Sequence, residues 1–135
     1  MSTRERRDRS DIADRDLSKL FLHSLNKNQI NIEDIALAAV GGYGRGELSP
    51  GSDLDITILH KLNEKQIESV VQDFMYPIWS AGTPVDHSVR TISQLNEVAQ
   101  NDIRVVLGAL NLRLIIGNQD LVDEAYQKVL KIWQG

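Results

Sequence analysis

Apolar residues return at helical spacing near the N-terminus, where Ile12, Leu17, Leu20, Phe21 and Leu25 predict a helix over residues 11–27. The stretch TRERRDRSDIADRD, residues 3–16, interleaves five arginines with acids. Such mixed signs read as a solvated helix start or a loose tail rather than an arm for phosphate or RNA. The pattern then shortens. IALAAV, residues 35–40, is a continuous apolar run closed by Gly41-Gly42, and Asp53 to Leu59 is a second strand-like run. One or two helical turns are expected between them, around Arg45 to Leu48.

Helical periodicity resumes over residues 63–80, with Asn63 as cap and Ile67, Val70, Val71, Phe74, Met75 and Ile78 as the apolar stripe. Pro77 is expected to kink or end this helix, and Tyr76 and Trp79 to join the core. Thr83 to Thr91 reads as a third strand. Ser93 then caps a helical stretch, a second helix covers 102–115 with Gly117-Asn118 as its stop, and a last amphipathic helix runs over 119–133. The order is helix, strand, strand, helix, strand, then helices, which predicts an α/β or α+β fold with a mixed sheet flanked by helices. The 135 residues fit one compact domain, divided into an N-terminal tail and helix (1–34), a core (35–92) and a C-terminal helical segment (93–135).

Composition narrows the chemistry. With no cysteine, disulfides, thiolate zinc sites and cysteine nucleophiles are excluded, which suits a cytoplasmic setting. A net charge of −4 argues against broad nucleic-acid affinity, and no apolar run approaches the length of a membrane-spanning helix. No nucleic-acid or membrane partner is expected.

The stretch that does not fit a bland reading is VGGYGRGELSPGSDLDITIL, residues 40–59. Strand alternation puts Asp53, Asp55 and Thr57 on one face, where like charges two residues apart repel. A hard divalent cation such as Mg²⁺ would remove that conflict and keep positions open for phosphate. On the third strand the same alternation presents Asp86, Ser88 and Arg90 together. If that strand lies beside the second, Asp53, Asp55 and Asp86 converge on one or two ions, the arrangement that supports in-line phosphoryl displacement. Gly41 and Gly42 let backbone approach a phosphate, and Arg45, Ser52 and Arg90 are further candidate donors. The glycine run matches neither the P-loop nor the dinucleotide fingerprint. His87 falls on the opposite face and reads as a packed histidine. Tyr43 is either a base-stacking or a packed residue, and Arg104 and Arg113 read as helix-surface charges.

Gly41-Gly42-Tyr43-Gly44-Arg45-Gly46-Glu47-Leu48, Pro50 and Ser52-Asp53-Leu54-Asp55 closely resemble the signature of bacterial PII uridylyltransferase/uridylyl-removing enzymes, members of the DNA polymerase β-like nucleotidyltransferase superfamily. The likeness extends through Tyr76-Pro77-Ile78-Trp79, His87-Ser88-Val89-Arg90-Thr91 and the segment from Asn111 to Asn118, and covers residues 35–125 or so. It implies Mg²⁺-dependent transfer of UMP from UTP to a tyrosine hydroxyl of a PII-like acceptor protein, with release of pyrophosphate. By position, Asp53 and Asp55 would bind the metal, with Asp86 as third carboxylate and aid to deprotonation. Gly41, Gly42 and Ser52 would hold the triphosphate. The family commonly has glycine where this chain has Asp86. The family's HD-type phosphohydrolase and ACT domains have no counterpart in these residues, so uridylyl removal and glutamine sensing are not expected of them. Two rival readings follow from the same residues: an antitoxin-like protein adenylyltransferase using ATP, and a non-catalytic nucleotide-binding module.

Overall fold

A computed structural model describes residues 2–48 and 53–135. Six α-helices and four strands follow in the order α1 (Thr3–Lys27), a 3-10 turn (Ile32–Asp34), β1 (Ile35–Ala39), α2 (Gly41–Gly44), β2 (Leu54–His60), α3 (Glu64–Ser80), β3 (Val85–Arg90), α4 (Ile92–Asn101), α5 (Ile103–Ala109), β4 (Arg113–Gly117) and α6 (Gln119–Gln134). The strands form one mixed sheet in the order β3-β2-β1-β4. β1 is antiparallel to both β2 and β4, while β2 and β3 run parallel. A parallel pair needs a crossover, and α3 supplies it.

Position in the sheet explains the strand sequences. β1 is covered on both faces, and all five of its residues are buried, so it reads as an unbroken apolar run. One sheet face carries Leu37, Ala39, Ile56 and Ile58 against Leu17, Phe21 and Leu25 of α1 and Val70, Phe74 and Met75 of α3. Phe21 and Phe74 meet edge to face at 5.2 Å. The other face carries Ala36, Ala38 and Leu59 against Leu95 of α4, Val106 of α5 and Leu121, Val122, Ala125 and Val129 of α6. Small residues on that side of β1 let α6 come close.

The fold departs from several sequence expectations. α1 begins at Thr3, not near residue 11, because Ser2 caps it by accepting from the Glu5 N–H at 3.1 Å. The arginine-rich segment is therefore helix rather than tail. The helical turn after β1 is Gly41–Gly44, earlier than Arg45 to Leu48, and Arg45 is its C-cap. Pro77 neither ends α3 nor stops it short of Ser80. The buried stripe around it outweighs the local cost of proline, about 3 kcal/mol. Tyr76 and Trp79 are 69% and 52% exposed, since the helix turns both away from the stripe.

Further along, Thr91 rather than Ser93 caps α4, through a reciprocal capping box with Gln94. The expected 102–115 helix ends at Ala109, and RLIIG becomes an edge strand on β1. An apolar run as short as Leu114 to Ile116 has no periodicity of its own, so the open edge of β1 decided its state. The segment from 93 onward thus contributes to the sheet as well as to the helices.

Candidate active site

β2 and β3 put two of the expected acids side by side. In the parallel register Asp55 is paired with Asp86, Thr57 with Ser88 and Leu59 with Arg90. The Ser88 hydroxyl donates to Thr57 Oγ1 at 2.8 Å, which fixes that these side chains share one face. Asp55 is half-buried, whereas Asp53, one residue before the strand, and Asp86 are exposed. Burial, then the charge of Asp86, then that of Asp53 raise the Asp55 carboxyl above the usual carboxylate range. The repulsion expected from alternation is present in the fold.

The glycine turn stands against this pair. The Val40 N–H donates to the Asp55 carbonyl at 3.0 Å, which ties the start of α2 to β2. Gly41 has φ +58°, a backbone state unfavourable for residues with a Cβ, and a Cβ there would lie 3.4 Å from Asp55 Oδ2. Gly44 is glycine for a different reason. Any side chain would run into the carbonyl of Asn111, so the α5–β4 connection closes directly on the turn.

A cleft of about 440 Å³ opens over these groups. Gly41, Asp55, Asp86, Ser88 and Arg90 border its polar end, while Leu95, Val105, Ala109 and Leu112 give it an apolar lining with the charged Asp102–Arg104 pair beside them. Its size is that of a small-ligand site. Of the other expected donors, Gly42 and Arg45 do not border the cleft, and the Arg45 guanidinium lies 3.7 Å from Glu47. Ser52, with Pro50, lies outside the described residues. Arg90 makes no ion pair among the described residues. Four residues further along β3 than Asp86, it stands about 13 Å up the strand, too far for a direct counter-ion.

His87 lies against Trp79, ring centroids 5.9 Å apart. Tyr43 proves to be a packed residue, 2% exposed. Its hydroxyl donates to Asp14 Oδ1 at 2.6 Å. Arg104 fits its reading as a surface charge and pairs with Asp102 at 3.2 Å. Arg113 does not fit its reading. It is half-buried on β4, and its guanidinium donates to both Asp14 oxygens at 2.6 and 3.2 Å. It also donates to the carbonyls of Tyr43 and Gly44 at 3.1 and 3.2 Å. Sequence reasoning missed this buckle because it placed Arg113 on a helix. The one available signal was an arginine at the head of an apolar run.

Among the described residues no three His, Cys, Asp or Glu side chains form a ready-made metal cage. The donor set nevertheless fits Mg²⁺, which is ordinarily held by one or two carboxylates together with substrate phosphates. Asp55 carries uncompensated like-charge repulsion, the condition a cation relieves.

Adjacent carboxylates, a glycine turn and a cleft of nucleotide size are the parts that phosphate-ester transfer requires. Residues 19–129 match the family described as the nucleotidyltransferase domain, and the chain belongs to that family. Its curated relatives are bifunctional uridylyltransferase/uridylyl-removing enzymes. It is 44% identical over 101 residues to that of Streptomyces coelicolor, covering 74% of this chain and 12% of the relative. Against that of Mycobacterium tuberculosis it is 40% identical over 111 residues, covering 79% and 14%. Against that of Vibrio campbellii it is 37% identical over 124 residues, covering 90% and 14%. The chain spans about an eighth of the length of these relatives. Among solved structures, a toxin–antitoxin protein with AMP-PNP superposes with a TM-score of 0.48 at 18% identity, covering 86% of each chain. No helix among the described residues is long and apolar enough to cross a membrane.

Proposed function

We propose that this domain transfers UMP from UTP to a tyrosine hydroxyl of a PII-like acceptor protein in the cytoplasm. The observation that carries the reading is the Asp55–Asp86 pairing beside Gly41 at the polar end of the cleft. The names of the matched uridylyltransferase relatives support the choice of nucleotide, and the acceptor follows from the family resemblance.

In this reading the acceptor oxygen attacks the α-phosphorus of UTP. The new P–O bond forms as the bond to the β-phosphate oxygen breaks, and pyrophosphate leaves. The acceptor proton passes to a carboxylate of the cluster, with Asp86 as the exposed member. Asp53, Asp55 and Asp86 would hold Mg²⁺, which supplies charge neutralisation for the triphosphate when bound. The backbone at Gly41 and Gly42 orients the phosphates, because N–H groups opening a helical turn have no acceptor within it. Arg90, which borders the cleft, is the further phosphate contact we assign, and Ser52 is the one the family resemblance implies.

Calorimetry with UTP, ATP, CTP and GTP in the presence of Mg²⁺, followed by pyrophosphate release with labelled UTP and a PII-type acceptor, tests the proposal. Preferential UTP binding and labelled acceptor are expected. A signal with ATP alone would replace the uridylyl reading by an adenylyl one. Binding without pyrophosphate release from any of the four would leave a non-catalytic module.

A further inference from the structure

Gly108 sits inside α5, where glycine is less favourable than alanine. Nothing in the backbone requires it. Gly41, Gly46, Gly82 and Gly117 take positive φ, but Gly108 does not. Packing does not require it either. A Cβ at Gly108 would meet no atom of the described residues within 4 Å, in contrast to Gly44, which is pressed on the Asn111 carbonyl. The space left by the missing side chain opens into the cleft, which Gly108 borders together with Val105, Ala109 and Leu112.

Its distance from the chemistry is fixed by the chain. The Asn111 N–H donates to the Gly108 carbonyl at 3.3 Å, and the Asn111 carbonyl abuts Gly44 in the phosphate-side turn. Gly108 is therefore one helical turn from the element that borders Asp55. The cleft carries its carboxylates at the Gly41–Asp55–Asp86 end. On the α5 side it combines the apolar Val105, Ala109 and Leu112 with the Asp102–Arg104 ion pair, a surface that suits a flat, partly polar nucleoside while the other end takes the charged triphosphate.

We propose that Gly108 is the platform on which the nucleoside of the bound nucleotide lies, and that its missing side chain sets how closely the nucleoside approaches α5. This rests on the nucleotidyl-transfer reading and adds a specificity-determining residue to it. The polar end of the cleft holds the phosphates whatever stands at position 108, so a side chain there obstructs the nucleoside and spares the triphosphate.

The test compares wild type, Gly108→Ala, Gly108→Val and the control Leu107→Ala, whose residue is exposed and does not border the cleft. Melting temperature and calorimetric affinity for Mg²⁺–UTP and for inorganic tripolyphosphate are measured without acceptor. Gly108→Ala is expected to melt about 2–5 °C higher and to bind UTP several-fold more weakly. Gly108→Val is expected to lose at least tenfold in UTP affinity while tripolyphosphate affinity stays within about twofold. Leu107→Ala should bind both as wild type does. Wild-type UTP affinity in both Gly108 variants, or equal loss of UTP and tripolyphosphate in variants that melt normally, overturns the assignment. A wild-type protein that binds neither ligand overturns the parent reading instead.

Discussion

Two groups of acidic side chains lie on either side of the Gly41–Gly44 turn, and the fold treats them in opposite ways. Asp14, from α1, is fully engaged by the Tyr43 hydroxyl and by two guanidinium nitrogens of Arg113. Burial works against the Arg113 charge, yet the hydrogen bonds and charge of Asp14 outweigh it and raise the guanidinium above its ordinary value. Burial and Asp14 also push the Tyr43 phenol far above its usual range. Asp55 and Asp86 have neighbours of their own sign and no cation within ion-pairing distance among the described residues. The first group is a buckle that joins α1, the turn and β4. The second has no counter-charge among the described residues, the arrangement expected where carboxylates await a cation rather than form a structural ion pair.

The difference predicts that the two groups fail differently. Asp55→Asn should give the largest effect, a fall in nucleotidyl transfer on the order of 10²–10³-fold or more, with far-UV circular dichroism unchanged. Steady-state pyrophosphate release measures it. Turnover within threefold of wild type would mean that the open acids do not handle charge in the reaction, and the contrast with Asp14 would lose its functional content.

On the buckle side the loss should appear in stability. Arg113→Met removes one partner of a half-buried pair and strands Asp14, with an expected cost of about 2–3 kcal/mol. Thermal denaturation should show it as a fall in Tm of roughly 10 °C. Tyr43→Phe deletes one of the three hydrogen bonds to Asp14 and should cost about 1 kcal/mol. A Tyr43→Phe protein that melts lower than Arg113→Met would show that the hydroxyl, not the guanidinium, secures Asp14.

The open group was legible in the sequence and the buckle was not, for a physical reason. Asp53-Leu54-Asp55 and Asp86 stand out because strand alternation is local, so charges on one face can be read from spacing alone. The Asp14–Arg113 pair spans 99 residues and depends on β4, whose short apolar run carries no strand signal of its own. No local rule connects two such positions. Tyr76 and Trp79 show a related failure. Their aromatic character suggested burial, although their positions off the α3 stripe already placed them outside. Gly44 shows a third, because its need for glycine comes from Asn111 across the fold.

The smallest expected effect sharpens the contrast most. If Asp55 is held among like charges, removing its charge should stabilise the Mg²⁺-free protein while abolishing its activity. The carboxyl is raised in the fold by burial and by Asp86 and Asp53. Its favourable contribution is therefore fully present below the unfolded value near 4, and is lost as pH rises through the higher folded value. At neutral pH it works against folding. Asp55→Asn should then raise stability by a few tenths to about 1 kcal/mol at pH 7, a small figure because solvent still reaches and screens a half-buried group. The gain should shrink as pH falls and be gone at about pH 3, below the unfolded value, where the carboxyl is largely protonated in both states. Denaturant midpoints of wild type and variant at both pH values, without divalent cation, supply the comparison, and groups common to the two proteins cancel in the difference. Asp14→Asn should show the opposite sign at pH 7, because it discards an attraction. Equal signs for the two variants would show that the acids at the cleft are compensated by the fold itself and do not await a cation.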